Sequence, residues 1–71
     1  MIKFVIAQHD QELNDGGIVH FAQKGDYIIF DGKEYSILNP EEFDNLFVVI
    51  SIDSDMIGTA EYLKDFAHEQ V

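Results

Sequence analysis

Glu61, Asp65 and Glu69 recur at i, i+4 and i+8, and Glu41, Glu42 and Asp44 crowd a second short stretch. Carboxylates are the side chains with which this sequence can do chemistry. Fourteen Asp and Glu face four lysines and no arginine, a formal charge of −10. On a helix, the first row would stand with neighbours about 6 Å apart. That spacing is of the order of successive phosphates along a nucleic-acid strand. A ridge of this kind offers charge-assisted hydrogen bonds to the lysines and arginines of a protein built to hold phosphates. The plain alternative is a solvated helix face whose charge serves solubility. An acidic surface repels nucleic acid and anionic membranes, so no direct nucleic-acid binding is expected.

Other chemistry finds less support. Cysteine is absent, and the histidines lie far apart at His9, His20 and His68. Ser36, Ser51 and Ser54 sit in no G-x-S-x-G elbow. His20, between Val19 and Phe21, reads as a strand histidine packed against its sheet. Gly16-Gly17 lacks the lysine and helix of a phosphate-binding loop. Asp53-Ser54-Asp55-Met56-Ile57-Gly58 matches the first, third and sixth positions of a calcium-binding EF-hand loop. The pattern fails at Ile57 and again at Lys64, where oxygen ligands are required, so capping is the better reading of these carboxylates. His9-Asp10 with Glu12 is a spacing that arises often by chance. No enzyme, metal or cofactor is expected.

These residues must be held by a small scaffold. A chain of 71 residues with 46% hydrophobic content makes one compact domain over 1–71 and buries only about 60% of its unfolded surface. The lack of cysteine fits a reducing cytoplasm, and no segment approaches the ~20 apolar residues of a membrane span. Ile2 to Ala7 is a strand with Ile2, Phe4 and Ile6 on one face and Val5 opposite. Gln8 to Gly17 is polar and ends in the turn signal Asn14-Asp15-Gly16-Gly17. Ile18 to Gln23 is a second strand. Phe47 to Ile52, the most apolar run, is expected as a central strand buried on both faces. A helix is expected over about 55–70, with Met56, Ile57, Ala60, Leu63, Phe66 and Ala67 as its apolar stripe. Ser54 and Thr59 are its rival N-caps.

The clearest local signal runs from Gly25 to Phe43. Asp31-Gly32 separates Tyr27-Ile28-Ile29-Phe30 from Tyr35-Ser36-Ile37-Leu38 and predicts a β-hairpin. Its loop is either Asp31-Gly32 alone or four residues ending at Glu34, and in both registers Ile28, Phe30, Tyr35 and Ile37 share a face. Asn39-Pro40-Glu41-Glu42 then predicts a capped helix to about Leu46, with Phe43 turned back onto the hairpin. The expected fold is α+β: a small, mostly antiparallel sheet of about five short strands, with a short helix and the C-terminal amphipathic helix on one face.

The segments G-D-Y-I-I, D-G-K-E-Y and P-E-E-F resemble small phage and prophage proteins that carry G-D-Y/W-I/V-I/V, then G-x-x-Y/F, then P-x-x-F. The resemblance spans Gly25 to Phe43 and implies a phage or mobile-element origin, not an activity. By size and acidity the chain also resembles anti-CRISPR and anti-restriction proteins. The expected function is therefore an inhibitor, in the host cytoplasm, that mimics nucleic acid on the basic surface of a defence protein. Glu61, Asp65, Glu69, Glu41, Glu42 and Asp44 are the expected contacts. The alternative is a structural module that forms a homodimer through an apolar sheet face.

Overall fold

The computed structural model of the chain describes residues 1–30, 32 and 34–63. Among these, seven strands and one helix follow in the order β1 (Ile2–Ile6), β2 (Gln11–Asp15), β3 (Ile18–Ala22), β4 (Tyr27–Phe30), β5 (Tyr35–Leu38), α1 (Pro40–Leu46), β6 (Phe47–Ile52) and β7 (Ile57–Tyr62). Five of the strands form one antiparallel sheet in the order β5-β4-β1-β7-β6, while β2 and β3 pair as a separate hairpin. The expected small antiparallel sheet with a short helix is what the chain forms.

The alternation in β1 decides the layering. Phe4 faces a core of Ile29, Phe43, Phe47 and Ala60, against which Ile2 and Ile6 pack. Val5 faces the opposite layer, where Ala7, Ala22 and Ile28 are buried beneath the β2–β3 hairpin with Leu13, Tyr35 and Ile37. The sheet is thus covered by α1 on one face and by a β-hairpin on the other.

The β4–β5 hairpin takes the longer of its two registers. Phe30 pairs with Tyr35 and Ile28 with Ile37, so the loop is the four-residue one ending at Glu34. Asn39 caps α1 as the sequence predicts: its side chain accepts from the Glu42 amide at 2.8 Å, and the Glu42 carboxylate accepts from the Asn39 amide at 3.1 Å. Phe43 is wholly buried, its ring stacked on Tyr27 with centroids 3.8 Å apart.

Three expectations are corrected. The polar stretch after Ala7 contains a strand: β2 is held by pairing with β3 across a two-residue loop at Gly16-Gly17, both with positive φ. Its own sequence, Gln-Glu-Leu-Asn-Asp, has little strand preference, so tertiary pairing overrides it. Secondly, β6 is an edge strand, not a central one. Val49, Ile50 and Ile52 are 40%, 51% and 47% exposed, so a charge at Val49 would stay in contact with water.

The third correction concerns the C-terminal helix expected over 55–70. Ile57–Tyr62 is the strand β7, inserted between β1 and β6. Gly58 and Ala60 are its buried residues, and two small residues at alternate positions leave room for Phe4, which lies opposite Gly58. On the strand, Ile57 and Ala60 fall on opposite faces, Ile57 exposed and Ala60 buried, so the helical stripe does not survive. Neither Ser54 nor Thr59 caps a helix: Thr59 lies within β7, its hydroxyl 2.8 Å from that of Ser51. The remainder of the expected helix, residues 64–71, lies outside the described residues.

Candidate functional site

The carboxylates divide by what the fold asks of them. Five accept from backbone amides, in turns, in the α1 cap or between segments distant in sequence. Asp10 accepts from the Lys24 amide at 2.9 Å, and Asp26 accepts from the Gln23 amide at 2.9 Å. Asp15 accepts from the Tyr35 amide at 3.2 Å and so fastens the hairpin to β5. Asp53 accepts from the amides of Asp55 and Ile57 at 2.8 and 3.1 Å, closing the β6–β7 turn. Glu42 completes the α1 cap. The local reading of Asp53 as a capping carboxylate is correct, although the turn it closes joins strands.

Of the six predicted contact residues, Glu41, Glu42 and Asp44 all lie exposed on α1, with Glu42 and Asp44 to either side of the buried Phe43. Glu42 is committed to its capping box, whereas Glu41 and Asp44 have no hydrogen-bond or ion-pair partner among the described residues. Glu61 sits on β7 opposite Val48, half-buried, on a strand and not on a helix. The i, i+4, i+8 row therefore does not begin on a helix. Asp65 and Glu69 lie outside the described residues.

His9 shares a 3.1 Å hydrogen-bond contact with the Asp10 carbonyl in an exposed turn. His20 lies on β3 facing the sheet, its ring edge-on to Tyr35 with centroids 6.5 Å apart. Its Nε2 is buried with no hydrogen-bond partner. No group of three or more His, Asp or Glu is placed among the described residues to hold a metal ion. No described helix is long and apolar enough to cross a membrane.

Two surface features fell outside the sequence reading. On the outer side of the β2–β3 hairpin, Phe21 is 68% exposed and pairs across strands with Glu12, beside an open groove of about 450 Å³ that also includes Asp10. The second feature is the outer edge of β6, beyond which no described strand lies. The alternation in I-V-H-F-A predicted a strand, but its outward face followed only from the pairing with β2. The β6 edge had no signal, because a run apolar at every position but Ser51 fits the middle of a sheet equally well.

No known protein family, curated protein or solved structure matches the chain.

Proposed function

We propose that this chain is an acidic binding protein that occupies a basic, nucleic-acid-binding surface of another protein. It would act as an inhibitor of the anti-CRISPR or anti-restriction kind, carried by a phage or mobile element into the host cytoplasm. The observation that carries this reading is the charge of −10 without a single arginine. The partner's lysines and arginines, arranged to hold phosphates, pair with carboxylates by charge-assisted hydrogen bonds. Glu41 and Asp44 are the described carboxylates best suited to this, being exposed and needed by no turn or cap. Glu61, Asp65 and Glu69 form the second set to be tested. In this role the protein binds and does not catalyse, and it needs neither metal nor cofactor.

Capture of partners from a bacterial lysate, followed by mass spectrometry, is the direct test. The expected partner is a nucleic-acid-binding protein whose affinity for this chain falls as salt rises, and for which nucleic acid competes. Glu41→Lys with Asp44→Lys weakens that binding while the fold stays intact. A partner indifferent to salt, to nucleic acid and to reversal of both carboxylate sets overturns the reading.

A second reading, a structural module that forms a homodimer, is favoured by the exposed apolar residues Val49, Ile50 and Ile52 on β6. Light scattering separates the two, because a dimer that persists on dilution belongs to the second.

A further inference from the structure

The two edges of the five-stranded sheet are treated differently. At β5 the β2–β3 hairpin packs against the strand, and the Tyr35 amide is taken up by the Asp15 carboxylate. At β6, no described strand or loop lies beyond the edge. Sheet edges left open to water are normally blunted by charge, by proline, by a bulge or by a covering segment. Phe47–Ile52 carries neither charge nor proline, in a chain that is otherwise strongly acidic. One bulge, with Ile50 as the extra residue between Val49 and Ser51, interrupts its pairing with β7.

The surroundings of the edge specify what could lie on it. Asp44 stands three residues before β6, on the helix that runs directly into it, and Asp53 and Asp55 follow its last residue. Glu61 lies across from Val48 on β7. Among the described residues, the lysine on this side of the sheet is Lys3, two strands in from β6 and paired with Thr59. An uncharged apolar strand is thus bracketed by carboxylates at both ends.

We infer that β6 is a docking edge for an extended segment of a basic partner protein, which adds to the sheet as a further strand. The main chain of that segment hydrogen-bonds to β6, its alternate apolar side chains cover Val49, Ile50 and Ile52, and its flanking lysines or arginines meet Asp44 at one end and Asp53 and Asp55 at the other. A second copy of this chain fits less well. Two β6 strands running antiparallel would set Asp44 of one beside Asp53 and Asp55 of the other, between molecules that each carry a charge of −10. The inference rests on the proposed function for the basic character of its partner and adds to it the mode of contact.

A synthetic peptide of alternating valine and threonine with lysines at both ends is the probe. It is titrated into the full-length protein and followed by backbone NMR shifts and amide hydrogen exchange. Saturable binding is expected, with shifts and new amide protection at 47–52. Ile50→Lys is expected to weaken it by about tenfold, because a charge now sits on the edge. Ile50→Thr, which keeps strand preference, guards against an effect on folding and gives a smaller loss in the same direction. A copy of the peptide N-methylated at alternate residues should not bind, since it cannot donate to the edge. The inference is overturned if the N-methylated peptide binds equally well, or if glutamates in place of the lysines make no difference. It is equally overturned if the shifts map to α1, or if the protein is a dimer that Ile50→Lys dissociates. A captured partner that responds to Glu41→Lys with Asp44→Lys but not to Ile50→Lys removes this inference alone and leaves the proposed function standing.

Discussion

At Gly58 the carbonyl of Ser51 and the ring of Phe4 fill the space where a side chain would begin; a Cβ there would lie 2.6 Å from Phe4 Cζ. Its backbone is not in the left-handed region, so the requirement is for space and not for conformational freedom. Gly58→Ala should destabilise the protein by about 3 kcal/mol, the upper range for forcing an extra group into a packed core, read as a fall in the urea midpoint. Nothing local in the sequence reveals that Phe4 lies across from this glycine. Met56 presents the reverse case. It sits at φ 64° in the β6–β7 turn, a conformation that disfavours any residue with a Cβ. Met56→Gly should raise stability by about 0.5 kcal/mol after the added freedom of the unfolded chain is subtracted, read as a higher urea midpoint. Met56→Val, β-branched at the same φ, should lower it.

Elements whose ends are marked by side-chain chemistry were readable before the structure, and α1 is the best of them. Its capping box, its proline and its buried Phe43 are all specified within Asn39–Phe43. Asn39→Ala removes one half of that box and should cost about 1 kcal/mol, measured by chemical denaturation. An unchanged midpoint would mean that the cap contributes nothing to the folded state. The β4–β5 hairpin was readable for the same reason, its register being narrowed to two by the turn residues. The strands β2 and β7 were not, because their partners lie outside their own sequence. Gln11–Asp15 is extended only because Ile18–Ala22 runs beside it. For Ile57–Tyr62 the local pattern fits a helix as well as a strand, and the choice is made by β1 and β6 on either side. The same gap in information misplaced β6: its composition says apolar strand, and only the strand order says edge. For the candidate contacts, the α1 cluster followed from its helix, whereas the row beginning at Glu61 depended on a helix that Glu61 is not part of.

Across the whole molecule the charge of −10 acts on the folded state as well as on partners. Folding gathers like charges that the unfolded chain keeps apart, and salt screens that repulsion. The thermal midpoint should therefore rise by a few degrees between low salt and about 0.5 M sodium chloride, whereas partner binding by the carboxylates weakens over the same range. A midpoint that falls with salt would mean that attractive ion pairs outweigh the self-repulsion.

The place of β7 between β1 and β6 also governs when the sheet can be assembled. β1 gains one neighbour, β4, from the first half of the chain, but its other side is filled only by the strand that leads up to Tyr62. During synthesis the ribosome releases β1 first and β7 last among the described elements, so Phe4 and Phe47 wait in an unfinished core while Phe43 is already in its helix. Pairings between distant parts of a chain form slowly; β6 and β7 meet locally across their turn, but the pairing of β1 with β7 joins the two ends of the described chain. The interval between translation and closure of the sheet is thus when this protein is most open to aggregation and to proteases, because β1 then shows an unpaired edge on the side that β7 later fills.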